Sequence, residues 1–120
     1  MSKYIVNLSA INPKEEHRNT PAVDVMVDTV SLLSWLPKKM LLEAGITPRG
    51  TKYFLTITNE TIEREYGYAI LKSEGYSTVD EIVFAEEGDM SLLGVRTIEG
   101  FGVMVDNIGH RFVATTTLAV

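Results

Sequence analysis

The chain of 120 residues has no cysteine, so neither a disulfide framework nor a thiolate zinc site is open to it. Positive charge is in the minority: 11 Lys and Arg face 16 Asp and Glu, for a net charge of -5. That balance lacks the basic stripe that displaces counterions from nucleic acid, and it offers little attraction to anionic membranes. Histidine occurs only at His17 and His110, in polar surroundings and with no i,i+4 partner. Solvent-exposed side chains are expected there, not metal ligands or a Ser-His-Asp arrangement. No apolar run is long enough to span a bilayer, and Met1 to Ala10 carries no apolar leader segment. A soluble, cytoplasmic protein is expected, with protein, peptide or small-molecule partners and with no cofactor, no metal, no nucleic acid and no membrane.

What the chain does have is apolar residues, 45% of the total, enough for the core of a single domain over residues 1–120. Tyr4, Val6 and Leu8 alternate with more polar neighbours, the period of a half-buried strand. A polar loop, Asn12 to Pro21, precedes a strand over Ala22 to Val27 that runs directly into Asp28. Pro37 suits the first turn of a short helix, Lys38 to Ala44, with Gly45 as its left-handed stop. Tyr53 to Thr58 and Ile62 to Leu71 read as strands joined at Asn59-Glu60, and Gly75 turns the chain into a strand at Thr78 to Phe84. Glu86, Glu87 and Asp89 form a solvated loop without the alternating-oxygen spacing of a calcium site. Arg96 to Phe101 forms a second short helix ending near Gly102. Val103 to Val105 and Arg111 to Thr116 pair across Asn107-Ile108-Gly109, with Asp106 as a turn residue. Short strands, tight turns and two short helices give a mainly β domain, a closed barrel or a sandwich.

Chemistry concentrates at Val27-Asp28-Thr29-Val30-Ser31. A carboxylate ending an apolar strand is costly to keep charged unless hydrogen bonds or a partner stabilise it. Thr29 and Ser31 supply hydroxyls and the turn supplies N–H donors, so Asp28 is placed for acid–base work on water. A structural alternative stands beside this: a strand-end Asp bonded to its own turn.

The same segment, continued by Leu32-Leu33-Ser34-Trp35-Leu36-Pro37, resembles the active-site motif of retropepsin-like (retroviral-type) aspartic proteases. That motif is hydrophobic-Asp-Thr-Gly-Ala/Ser, then an apolar stretch and a short helix, and single-domain microbial members often continue with Trp-(Ile/Leu)-Pro. Leu41-Leu42-Glu43-Ala44-Gly45-Ile46 resembles the family's short helix ending in Leu-Gly-Ile. Tyr53 to Ala69 is similar to its flap hairpin, Ser91-Leu92-Leu93-Gly94 to its second hallmark, and Arg96 to Asp106 to its closing helix and strand. The resemblance implies a small closed acid-protease-like barrel with one or two short helices, in the single-lobe retropepsin architecture. It implies a homodimer that brings two copies of Asp28 together on a two-fold axis, where the close carboxylates share a proton. One member activates water and the other polarises the carbonyl of a peptide or unfolded protein substrate. By the same resemblance Thr29 cross-links the two loops, Ser31 holds the outer carboxylate oxygen, and Leu93 and Gly94 pass beneath the loop. Thr58, Asn59, Glu60 and Thr61 form the flap tip that closes over substrate.

Val30 departs from the motif, which carries glycine there: it stiffens the backbone and puts two methyl groups beside the reacting centre. Asn59-Glu60 stands where relatives often have Asp-Gly. Two rival readings follow: a catalytically impaired pseudo-protease retained as a peptide-binding or scaffold dimer, and an unrelated small β-barrel binding module with a structural Asp28. The apolar, strand-like ends, Lys3 to Leu8 and Val113 to Val120, are expected to interleave between subunits.

Overall fold

Strand β1 (Ile5–Ile11) alternates exposed and buried side chains, as the spacing of Val6 and Leu8 requires. It belongs to a computed structural model that describes residues 3–116 and 119. β2 (Val23–Val27) runs antiparallel to it and buries Val25 and Val27. Then follow β3 (Ser34–Pro37), α1 (Lys38–Glu43), β4 (Gly50–Leu55), β5 (Thr61–Ser73), β6 (Tyr76–Ala85), β7 (Leu92–Leu93), α2 (Val95–Gly100), β8 (Val103–Asp106) and β9 (Arg111–Ala114). The protein is mainly β, with two helices of 6 residues each among the described residues.

Seven strands form a sheet in the order β1-β2-β7-β3-β6-β5-β4, and β1 also pairs with β5. β8 and β9 form a separate antiparallel pair. Most contacts are antiparallel, but β2 pairs parallel with β7 and β3 parallel with β6. Two short parallel contacts in an otherwise antiparallel sheet arise where the chain crosses itself, and they meet at the Asp28 loop.

β6 changes character along its length, alternating up to Val79 and buried on both faces from Asp80 to Ala85, with α1 and α2 both in contact with it. Leu8, Leu36, Leu41, Leu71, Ile82, Phe84 and Leu93 are fully buried and form the centre of the core. Tyr4, Tyr76, Phe101 and Phe112 gather as an aromatic cluster that fastens the β8–β9 hairpin to β1 and α2. Between β5 and β6 the two-residue loop Glu74-Gly75 has φ of 52° and 84°. Positive φ at both positions gives a primed turn whose twist matches the strands, which explains glycine at the second position.

The structure departs from the sequence reading at β3 and at the end of β4. Ser34 to Pro37, expected as an apolar lead into a helix, is a strand, held in register from Ser34 opposite Ile82 to Pro37 opposite Ala85. Pro37 is consequently the extended residue before α1, with ψ of 130°, and not part of its first turn. The strand expected over Tyr53 to Thr58 stops at Leu55, because Thr56 accepts from Asn59 and donates to Glu60 to close the turn. The strand-like ends find partners within the chain: β1 pairs with β2 and β5, and β9 with β8. Residues 117, 118 and 120 of the expected interleaving segment lie outside the described residues.

No helix among the described residues is long and apolar enough to cross a membrane. Leu36 is fully buried at the centre of β3, and its neighbours in a sheet pinned on both sides have little freedom to collapse. Leu36→Ala is expected to lower unfolding stability by about 2–5 kcal/mol, read as a drop in the denaturant midpoint with an unchanged slope.

Candidate active site

β2 ends by delivering Asp28 onto a loop whose backbone is bonded from both sides. The Val27 N–H donates to the Tyr4 carbonyl at 2.9 Å and the Asp28 N–H to the Leu93 carbonyl at 2.9 Å. At the far end of the loop the N–H groups of Val95 and Arg96 donate to the carbonyls of Ser31 and Leu32, at 2.8 and 3.0 Å. Within the loop, Oδ1 of Asp28 accepts from the N–H of Val30 at 2.9 Å and of Ser31 at 3.3 Å. These two backbone donors, both on Oδ1, hold the carboxylate in place.

Val30 fits the loop better than its departure from glycine suggests. It is not among the residues with positive φ, and its amide makes the bond to Asp28 that the turn requires. Its side chain is 93% exposed, so its bulk stands in the space beside Asp28. Ser31 departs from expectation: its hydroxyl donates to the Leu33 carbonyl at 2.9 Å, and only its amide reaches the Asp28 carboxylate. Thr29 is exposed on the loop between Asp28 and Val30.

β7 passes directly beneath. A Cβ built on Gly94 would lie 2.5 Å from the carbonyl carbon and oxygen of Leu33, so no side chain fits between the two backbones. Gly94 is fixed further by its N–H, which donates to Ser34 Oγ at 2.9 Å. Ser34 Oγ and Thr97 Oγ1 are 2.6 Å apart, and Thr97 donates to Asp80 Oδ2 at 2.9 Å. Because the Thr97 proton goes to Asp80, Ser34 must be the donor to Thr97. A single directed chain results: Gly94 to Ser34 to Thr97 to Asp80, all buried.

The loop is the floor of a cleft of about 530 Å³. Asp28, Val30, Leu32 and Trp35 line the floor, and Lys52, Tyr53, Phe54 and Leu55 of β4 line the opposite wall. The Trp35 and Phe54 rings meet across it, centroids 4.9 Å apart. β4 and β5 run on into a hairpin closed at residues 56–60: Thr56 accepts from Asn59 and donates to Glu60, and Thr56 Oγ1 lies 3.0 Å from Thr58 Oγ1. Asn59 takes φ of 66°, a left-handed position that asparagine tolerates. Thr58, Asn59 and Glu60 sit at the tip as expected, while Thr61 already belongs to β5.

No protein-family model matches this chain, and no curated protein does. The assignment of the site therefore rests on its own geometry.

A larger cavity, about 620 Å³, lies between α1 and the loop after β6, away from Asp28. In its lining Lys38 pairs with Glu65 at 2.6 Å and Glu86 at 3.7 Å, and Asp89 pairs with Arg64. Asp89 is thus a correction to the solvated-loop reading. Arg64 grips it through two bonds of 2.6 and 2.9 Å and holds its carboxyl below the usual range against the opposing effect of burial. His110 is a second correction: it is half-buried and stacks on Tyr4, centroids 4.8 Å apart. Asp106 is the turn residue expected, its Oδ1 accepting from the N–H of Ile108 and Gly109. Among the described residues no three His, Asp or Glu side chains are gathered as metal ligands.

Sequence reasoning missed Ser34, Asp80, Glu81 and Thr97 beneath the floor, Lys52 in the wall, and Ile57, fully exposed at the hairpin tip. The available signal was Asp80-Glu81, two acids interrupting the apolar run of β6. Gly94→Ala is expected to cost about 1–3 kcal/mol through forced backbone separation. It should shift the amide resonances of Leu33 and Asp28 together, whereas an undisturbed Asp28 amide would mean that the crossing yields locally.

Proposed function

We propose that this chain is one half of an aspartic endopeptidase of the retropepsin-like kind, with Asp28 of two copies forming the acid–base pair. The observation that carries the reading is the placement of Asp28. Its Oδ1 is held by two backbone amides, and its loop is the floor of a cleft walled by a hairpin strand. A structural turn aspartate needs the amides but not the cleft. The closed-barrel form that goes with this reading is supported by the β1–β5 pairing, which joins the first strand of the sheet to a late one.

In the dimer the two carboxylates approach closely enough to share one proton. The ionised partner takes a proton from a water molecule, whose oxygen attacks the scissile carbonyl carbon. The protonated partner donates its hydrogen bond to the carbonyl oxygen and stabilises the charge that develops there. The proton taken from water is then passed to the leaving amine as the C–N bond breaks. Amide bonds to Oδ1 keep each carboxylate oriented through this exchange, and the 56–60 hairpin excludes bulk water. Thr29, exposed on the loop crest, is placed to reach across to its counterpart.

Val30 favours a second reading, a dimer that binds extended peptides without cutting them. Its exposed side chain occupies space beside Asp28 where a substrate carbonyl must come within about 3–3.5 Å of the attacking atom.

Purified protein is expected to sediment as a dimer and to cleave an unfolded protein in mildly acidic buffer. Asp28→Asn should lower that rate by at least about 100-fold; a variant that still cuts would remove Asp28 from the chemistry. Peptide capture without product over long incubation would favour the non-hydrolytic dimer, and a strict monomer would exclude both. Val30→Gly is expected to raise kcat/KM by up to about 100-fold, and an unchanged rate would show a loop adapted to valine.

A further inference from the structure

β6 carries two adjacent acids, and alternation sends them to different neighbours. Asp80 ends the hydroxyl chain that fixes Gly94 under the Asp28 loop. Glu81 turns to the cleft wall, where its two oxygens are taken by separate cations: Lys52 of β4 at 2.7 Å and Arg96 of α2 at 2.6 Å. Arg96 also lies 3.4 Å from Asp80, and the Glu81 N–H donates to Asp80 Oδ1 at 2.8 Å. The acids are thus joined to each other by a backbone bond and by a shared arginine. Arg96 is further tied through its own N–H to the carbonyl of Leu32 in the Asp28 loop.

We propose that Asp80 and Glu81 are positioning residues that couple the hairpin wall to the Asp28 loop, so that the position of β4 and the setting of Asp28 change together. The path is continuous and short. It runs from Lys52 through Glu81 to Arg96 and the Leu32 carbonyl, and from Asp80 through Thr97 and Ser34 to Gly94. From there one residue back along β7 leads to the Leu93 carbonyl that accepts from Asp28. Such a path transmits displacement because its members are buried or paired and leave few alternative partners. The Glu81 side chain is 11% exposed, against 36% for Lys52 and 43% for Arg96, so the acid is the fixed point and the cations reach to it.

The coupling depends on an ionised Glu81, and its two cations favour that charge. Burial alone would raise the Glu81 carboxyl, but hydrogen bonds from Lys52 and Arg96 outweigh it and hold it below the usual carboxylate range. A group depressed in the folded state contributes stability above its unfolded value, and that contribution is lost only as pH falls through the lower folded value. Asp80 beside it, Lys52 and Arg96 against it, and Tyr68 across from it on β5 are the ionisable groups that face Glu81. The consequence for peptide hydrolysis rests on the protease reading; the mechanical coupling does not.

Site-resolved amide hydrogen exchange tests it without requiring cleavage. Lys52→Met removes a partly exposed cation on the hairpin wall and is expected to speed exchange at the Asp28 and Gly94 amides by about tenfold. Glu81→Gln should do the same. Arg111→Gln, which breaks the Arg111–Asp106 pair on the β8–β9 hairpin, should leave both amides unchanged. Faster exchange confined to β4 in Lys52→Met, with Asp28 and Gly94 unmoved, would overturn the coupling whether or not the protein proves to be a protease. So would equal acceleration in Arg111→Gln.

Discussion

Where Gly94 slides beneath Leu33, two backbones approach so closely that a single methyl group could not be placed between them. Everything about the Asp28 loop follows from that crossing. The loop cannot sink, because β7 is under it. It cannot lift, because the Asp28 N–H and the carbonyls of Ser31 and Leu32 are bonded to the segment on either side of Gly94. Two short parallel contacts, β2 with β7 and β3 with β6, are the sheet's way of accommodating a strand that passes under a loop. Parallel contacts of this kind need the chain to leave and return, and the intervening hairpins are what build the wall of the cleft.

A floor this constrained has to satisfy its own polar groups, since water has no access to them. The protein uses side-chain hydroxyls: Ser34 and Thr97, both fully buried, relay the Gly94 amide to Asp80. A buried carboxylate is costly unless paired and hydrogen-bonded. Asp80 meets that condition with Thr97, the Glu81 amide and Arg96. Removing one member of such a network strands the rest, which makes these positions sensitive although Ser34, Thr97 and Asp80 do not line the cleft.

The strands with clear alternation were legible in the sequence, and so was the loop carrying Asp28: β1 and β2 announce themselves through Val6, Leu8, Val25 and Val27. α2 is displaced by a single residue from its expected bounds, and the β4–β5 and β5–β6 turns fall where Asn59 and Gly75 suggest. β3 was hidden because Trp35-Leu36-Pro37 is too short for periodicity to speak, and its strand state comes from β6, which lies far along the chain. The resemblance assigned the Ser31 hydroxyl to the carboxylate, yet the carbonyl of Leu33 takes it. His110 looked like a solvent residue because nothing local shows that β1 brings Tyr4 beneath its ring. The polar network was the least legible part, since its members come from β3, β6 and α2 and only the fold makes them neighbours.

The cleft itself is lopsided in a way that bears on the proposed dimer. Its loop backbone is bonded to the segment beneath, whereas Val30, Leu32 and Ile57 project large apolar side chains into solvent around it. Each such side chain has about 1.5–3 kcal/mol to gain from full burial, and nothing in the single chain supplies it. On the proposed function they sit on the two parts that an extended peptide would touch, the Asp28 loop and the hairpin tip. Covering them takes a surface that is apolar at intervals and offers backbone groups between, which describes a peptide strand better than a compact small molecule. A second copy of the chain, meeting at the exposed Thr29 crest, would bring its own apolar set to the opposite side. On the proposed dimer, the lone carboxylate and the uncovered rim become two aspects of one geometry, a half-site that a second copy would complete in both its chemistry and its apolar surface.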